Sequence, residues 1–338
     1  ADRDWSSDVC SSDLGGGAAA GYTSPGATVN HNGSGLANNA IRSYRAAITI
    51  ATDEVSNASN VLNVPGQAEP LVVDFGLESA QRNGYLFFPV DIPAYASTGE
   101  RIFSDSPGKF VSVKLVSSNF DARALDFNAG AAYFPSSLID DTVNNRRVAV
   151  PATVQAMAAI AYNDKVGAPW FALAGYNRAA LEAVKLPLTK IDSKERDILN
   201  SARINPIVKF PGQGYVFFSQ RSLQQGTKSY YQGINVKRLM LEVKRRVADI
   251  GNRLIFSDSD INDALRAQFV NECKAALGSI QALKGIRQLE VIADGRNNTE
   301  DDANAYKIKG KIKIVPVQAT EYISMEFVVT SSGVQFSD

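Results

Sequence analysis

Histidine is the side chain that most often exchanges protons near neutral pH, and this sequence of 338 residues contains one, His31. It lies in segment 15–35, which holds seven glycines and too few apolar residues to order itself. A Ser-His-Asp triad or a Cys-His pair needs an imidazole held in fixed geometry. The sequence therefore predicts no catalytic residue.

Three stretches imitate ligand-binding motifs only in part. Gly15–Gly17 with Gly21 lacks the Gly-Lys-Ser/Thr of a phosphate loop, so a linker is the better interpretation. Residues 258–262 begin like a calcium loop, but Asp263 stands where glycine is required, which favours helix capping. The pair Asp301-Asp302 is typical of a solvated strand connection. We predict no metal and no cofactor.

Composition excludes several classes of partner. Lysine plus arginine and aspartate plus glutamate number 35 each, so no overall field attracts nucleic acid or an anionic membrane. The longest mostly apolar stretch, 148–162, is shorter than the roughly 20 residues of a bilayer span. Cys10 and Cys273 lie far apart and form no metal-ligand spacing. Residues 237–246, KRLMLEVKRR, can bind an acidic partner or form a solvated helix face, and both interpretations stay open.

The first fourteen residues are set aside from the fold. The letters DWSSDVCSSDL resemble the in-frame translation of a common sequencing adapter, so 1–14 is expected to be an artefact that replaces the natural N-terminus. The alternative is a polar, flexible leader. Segment 15–35 is then expected to be a glycine-rich linker.

Residues 36–203 carry the pattern of an α/β domain. Pro70 can open a helix that Gly84 ends, and a buried strand, YLFFPVDI, follows at 85–92. Asp192 and Glu195 have capping-box spacing, and Asn205-Pro206 is expected to end that helix. Strand, helix and strand at this spacing predict a helix-covered, partly parallel sheet. The other predicted elements are helices at 36–51 and 150–162, the latter buried on most sides, and strands at 61–64 and 131–134.

Residues 204–338 form helices and then strands, an α+β order. A long helix keeps one face apolar through Leu239, Met240, Val243, Val247, Ile250 and Leu254, while Lys237, Arg238, Lys244, Arg245 and Arg246 lie largely off it. A second helix is predicted at 260–284. Three strands follow, at 289–293, 307–317 and 321–329, and the second alternates isoleucine with lysine.

Six short segments in this order resemble the C-terminal region of contractile tail sheath proteins. They are 174–178 (AGYNR), 204–207 (INPI) with 212–216 (GQGYV), 234–239 (INVKRL), 252–254 (NRL), 297–299 (NNT) and the closing 321–336. Residues 36–151 resemble the family's α/β core more loosely, through LNVPG and GAAYFPSSLI. The chain departs from the family at Ala293-Asp294, where the usual residues are Cys-Asp, and at Glu300, where proline is usual.

The resemblance implies a structural protein and no enzyme. Its fold would be a subtilisin-like α/β core followed by a C-terminal helix-and-sheet domain. Subunits would polymerise as stacked hexameric rings around a tail tube and contract to drive the tube through the host envelope during genome delivery. Partners would be other copies, the tube protein, baseplate and tail terminator proteins, with no nucleic acid and no membrane. The protein would belong to the virion after assembly in the host cytoplasm.

The sequence leaves two other functions open beside the phage sheath. One is the sheath of a secretion-system or tailocin-type injection machine, which shares the same mechanics. The other is an α/β hydrolase-like enzyme, which the single histidine argues against.

The resemblance also implies two sets of contact residues. Sheath subunits join through terminal extensions that add strands to neighbouring sheets, and here Val334, Gln335 and Phe336, after a hinge at 331–333, are the expected exchanged segment. A frayed tail or a strand within the same subunit is the alternative. A helix before the terminal strands faces the tube in this family, at about 266–284 in this chain. Its basic candidates are Arg266, Lys274 and Lys284.

Overall fold

The computed structural model describes residues 35–53, 57, 59–102, 110–212, 214–225, 230–255, 263–295, 298 and 307–319. Its α-helices are α1 (Asn39–Ala51), α2 (Pro70–Asn83), α3 (Val113–Asp121), α4 (Ala152–Val166), α5 (Ser193–Ser201), α6 (Ile234–Leu254) and α7 (Asp263–Ala282). Its strands are β1 (Phe88–Asp91), β2 (Ala94–Tyr95), β3 (Arg101–Ile102), β4 (Gly130–Phe134), β5 (Ser137–Asp141), β6 (Arg146–Val150), β7 (Val184–Pro187), β8 (Ile204–Phe210), β9 (Gly214–Phe217), β10 (Ile286–Ile292) and β11 (Lys311–Pro316).

The helix boundaries follow local chemistry. Pro70 opens α2, where its missing N–H has no intrahelical partner to lose, and Gly84 ends the helix at φ 78°. The Asp192 side chain accepts the Glu195 N–H, and the Glu195 side chain accepts the Asp192 N–H, which completes a capping box. Both boundaries confirm the sequence predictions.

A four-stranded mixed sheet forms the larger layer. Its order is β1-β4-β8-β9, with β1, β4 and β8 parallel and β9 antiparallel to β8. The predicted partly parallel sheet is therefore confirmed. The predicted strand at 61–64 is wrong, because this segment makes a single parallel bridge, Val61 to Phe87, and does not continue as a ladder.

Helices cover both faces of this sheet. Because strand side chains alternate between faces, Phe88 and Phe134 pack with α2, α3 and α5, whereas Phe87 and Tyr133 pack with α4 and the first half of α6. Within the predicted range 150–162, only Ala158, Ala161 and Tyr162 are exposed, so the prediction of a helix buried on most sides holds there. Val166, in the last turn of α4 beyond that range, is exposed.

Asn205-Pro206 does not end a helix, contrary to prediction. The α5 helix ends at Ser201, and both residues lie inside β8. Pro206 is the last residue of the β8 ladder with β4, and the ladder with β9 begins at Ile207. Proline has no N–H to donate, so it is tolerated where one ladder ends and the next begins. The predicted division between 36–203 and 204–338 stays a prediction, and β8 and β9, which follow residue 203, complete the four-stranded sheet.

A second, smaller unit contains the C-terminal part of α6, α7 and the antiparallel pair β10-β11. Ile312 and Ile314 pack inward, which confirms the predicted alternation in this strand. The helix predicted at 260–284 spans Asp263–Ala282. The predicted third strand at 321–329 lies outside the described residues.

Two smaller sheets lie beside the main one. β5 pairs with β6 and β7, and β2 pairs with β3. Among the described helices, none combines the length and apolar character that a membrane span needs.

Candidate interaction surfaces

The carboxyl end of β1 is where many α/β proteins bind ligands, and here the chain itself fills it. Asp91 ends β1 and is 8% exposed. Its carboxylate accepts the Gly66 N–H at 2.9 Å, the Thr153 N–H at 3.0 Å and the Thr153 Oγ1–H at 2.5 Å. Burial raises the pKa of Asp91, while the hydrogen bonds from Thr153 and Gly66 oppose the shift. Asp91 therefore caps α4, whose own N-cap residue Pro151 offers no side-chain acceptor.

The side chain of Asn205, in β8, connects this strand to two other segments of the chain. It is fully buried, and its Nδ2 donates to the Ala132 carbonyl at 3.0 Å and to the Arg221 carbonyl at 2.8 Å. Its Oδ1 accepts the Arg221 N–H at 2.7 Å. These bonds attach β8 both to β4 and to the strand-like segment around Arg221, so the Asn of the INPI segment has a structural role.

Lys237 and Arg238 are buried, contrary to the prediction that they lie off the packed face of α6. Arg238 is 4% exposed, and its Nη2 donates to both carboxylate oxygens of Asp164, at 2.8 and 2.6 Å. Lys237 is 6% exposed and donates to Asn128 Oδ1 at 2.8 Å. Amphipathic spacing assumes one packed face, whereas this helix is packed on two sides.

Burial shifts the pKa values of two side chains in this layer, Lys237 and Tyr133. Desolvation lowers the pKa of Lys237 to about 8, and the nearby Lys244 charge acts in the same direction. Desolvation also raises the pKa of Tyr133, which the Arg238 charge partly opposes. Both side chains are thus uncharged more readily than in water.

A groove of about 830 Å³ runs between the end of α2, α6 and β11. Its apolar lining includes Met240, Val243, Val247, Ile312 and Ile314. Within the described strands, β11 pairs with β10 on one side only. Among the described residues, the other edge of β11 has no ladder partner and borders the groove, an arrangement that can accept an added strand.

Phage tail sheath proteins resemble this chain in sequence. No family model matches the chain. The tail sheath protein of Vibrio phage KVP40 is 31% identical over 199 residues, which are 59% of this chain and 29% of that protein. The tail sheath protein of Enterobacteria phage T4 is 29% identical over 200 residues, 59% of this chain and 30% of that protein. The resemblance to contractile tail sheath proteins is confirmed.

Solved sheath structures share the fold at low sequence identity. The sheath complex of an extracellular contractile injection system, PVC, in the contracted state has a TM-score of 0.64 at 18% identity, covering 83% of this chain and 74% of that chain. The baseplate structure of the anti-feeding prophage has a TM-score of 0.62 at 16% identity, and the match covers 80% of this chain and 69% of that chain. The matched segments span about 30% of the length of the phage sheath proteins.

The structure places the predicted sheath contact residues separately. Arg266 is half-buried and Lys274 exposed, both on α7. Lys284 is exposed but lies beyond the end of α7, in a turn where its φ is 58°. The three side chains therefore do not share one helix. Val334, Gln335 and Phe336 lie outside the described residues, as do His31, Asp301-Asp302 and residues 258–262. Among the described side chains, no group of His, Cys, Asp or Glu could hold a metal ion.

The groove and the buried residues of α6 were missed by sequence reasoning. The signal for the groove was the isoleucine alternation of β11 together with the valines of α6, which predicted the two faces but not the space between them. No pattern signalled that Asn128 and Asp164 would meet Lys237 and Arg238, because the two pairs are 109 and 74 residues apart in sequence.

Asn205→Ala should lower the free energy of unfolding by about 2–3 kcal/mol, because it leaves buried backbone groups of Ala132 and Arg221 without partners. Denaturant unfolding measures the change. Asn177→Ala, at an exposed position, is the matched control and should change stability by less than about 0.5 kcal/mol. Equal losses in the two variants would contradict the role of Asn205.

Lys237→Met should raise the free energy of unfolding near neutral pH by about 1–2 kcal/mol, since it removes a buried charge. The pKa of Lys237 is about 8 in the folded protein and 10.5 in an ordinary lysine. Between these pH values the folded parent therefore binds fewer protons than the unfolded parent, and its free energy of unfolding rises as the pH rises. The advantage of the variant should therefore shrink at high pH. Unfolding titrations across this range, with the exposed Lys165→Met as control, test it; a constant difference would refute it.

Proposed function

We propose that this protein is a structural subunit of a contractile tail sheath. Copies would polymerise as stacked hexameric rings around a tail tube and contract to drive it through the host envelope during genome delivery. The confirmed resemblance to phage sheath proteins and the shared fold with a contracted sheath support the proposal. The observation that carries it is β11, which among the described strands pairs on one side only and borders the groove.

The β11 edge is the proposed acceptor for a strand from a neighbouring copy. Backbone pairing supplies affinity in such contacts, and pockets for alternate side chains supply specificity. The α6 and β11 sides of the groove are lined mostly by apolar residues, as an added strand with alternating apolar residues would require, while Arg82 and Lys244 also line it. The C-terminal segment ends with such residues, Val334 and Phe336, on either side of Gln335. The proposed donor is therefore the C-terminus of one copy, and the acceptor is β11 of the next.

The proposed tube contact uses charge. Lys274 and Lys284 are exposed and Arg266 is half-buried, so salt bridges there would be near solvent. Exposed ion pairs are worth about 0–1 kcal/mol each. Contacts this weak hold an extended sheath only as a set and release in sequence, which suits contraction. Baseplate and tail terminator proteins are the further proposed partners, in a virion assembled in the host cytoplasm.

A contractile injection machine is the second candidate. The sheath complex of an extracellular contractile injection system shares the fold over 83% of this chain, which favours this candidate. The sequence relatives come from phages, which favours the first. Neighbouring genes for capsid and terminase proteins would identify the phage tail, and their absence from the gene cluster would favour the injection machine.

Deleting the residues after Thr330 should abolish polymers and leave a folded monomer, because the donor segment is removed while the described helices and strands remain. Negative-stain microscopy and sedimentation measure assembly, and circular dichroism measures folding. Deletion of Ser337 and Asp338 alone is the control and should polymerise normally. Normal polymers from the longer deletion would contradict strand exchange by this segment.

Arg266→Glu, Lys274→Glu and Lys284→Glu together should weaken binding to the purified tube protein, and the loss should diminish as salt rises and screens both proteins. Co-sedimentation at several salt concentrations measures the affinity. Lys165→Glu, Lys190→Glu and Lys194→Glu make the same charge change at exposed positions of the larger unit. An unchanged affinity in the first variant would count against these residues as the tube contact.

A further inference from the structure

The outer face of the β10-β11 sheet concentrates positive charge in an otherwise neutral protein. The residues at 286–292 and 307–316 include five basic side chains and one acidic one, whereas the whole chain carries 35 of each. The basic side chains are Arg287, Lys307, Lys309, Lys311 and Lys313, and the acid is Glu290. All six are exposed. We call this set the lysine face.

Packing on the inner side keeps the lysines outside. Ile312 and Ile314 pack into the cores behind the sheet. Phe269 of α7 approaches Gly310 so closely that a Cβ there would lie 2.5 Å from a ring atom. With these positions facing inward, the alternate positions Lys309, Lys311 and Lys313 must face outward.

The lysine face and the outer side of α7 are different surfaces. The α7 helix packs on the inner side of the sheet through Leu277 and Cys273, so its exposed side points away from the lysines. From Ala264 to Ala282, α7 carries two basic residues and one acidic residue. The stronger local field is therefore on the sheet, and a flat partner cannot contact both surfaces at once.

We propose that the lysine face docks a protein surface that carries carboxylates. Lysines at every second residue stand about 7 Å apart along a strand, a spacing that alternate acidic side chains of an opposing strand reproduce. The Lys313–Glu290 pair, with Nζ 2.8 Å from Oε2, shows the geometry of this contact within the sheet. The inference stands on the charge and packing of this sheet and does not rest on polymerisation.

Nucleic acid fits the face less well. Single strands bind proteins by stacking bases on aromatic side chains between the basic ones. The residues between the lysines are isoleucines and glycine, and Ile312 and Ile314 face inward. The neutral chain also lacks the broad positive field that attracts phosphate backbones.

Binding of the full chain to poly-L-glutamate at low salt tests the proposal. The fourfold variant Lys307→Gln, Lys309→Gln, Lys311→Gln and Lys313→Gln should bind roughly tenfold more weakly, since each exposed pair contributes a small factor. The matched control replaces Lys114, Lys165, Lys190 and Lys194 with glutamine at exposed positions elsewhere, and it should bind like the parent. Fluorescence anisotropy measures affinity, and circular dichroism confirms that each variant is folded.

Several results would overturn the proposal. The first is that the parent does not bind poly-L-glutamate, and the second is that the control variant loses as much affinity as the fourfold variant. The third is that the parent binds a single-stranded DNA of equal charge more tightly than poly-L-glutamate and that the fourfold variant loses this binding too. A fourth concerns the acids in the connection between the two strands. If replacing Glu300, Asp301 and Asp302 by their amides strengthens poly-L-glutamate binding, these acids already occupy the face.

Discussion

The structure depends on one helix that is buried by two different cores. The first half of α6 packs against the mixed sheet through Ile234 and Leu241, while Leu239 and Val243 pack with α7 and β10. Burial of apolar surface on two sides explains how a helix rich in lysine and arginine is stable here. The Arg238–Asp164 ion pair then fixes α6 against α4. Removing Asp164 would take this partner from the buried guanidinium of Arg238, which is destabilising.

Local signals were sufficient for much of the fold. Pro70 and Gly84 set the ends of α2, the Asp192 capping box starts α5, and alternation identified β11. Each of these features depends on residues close in sequence. The predicted partly parallel sheet is present, but its parallel pairs are β1-β4 and β4-β8, and the segment 61–64 of the predicted βαβ unit adds only one parallel bridge.

Features that depend on distant residues were not predictable. Asn205-Pro206 has a composition typical of a helix end. Both residues lie inside β8 instead, where Asn205 bonds to Ala132 and Arg221. Lys237 and Arg238 follow a solvent-facing pattern, yet both are buried and bonded to the partly exposed side chains of Asn128 and Asp164. The groove beside β11 arises from three elements meeting, which no single pattern contains.

The length of α6 has a mechanical consequence. A helix of 21 residues is about 30 Å long and resists bending, and its two ends are embedded in separate layers of the protein. A force applied to the β10-β11 sheet would therefore be transmitted through α6 to the four-stranded sheet.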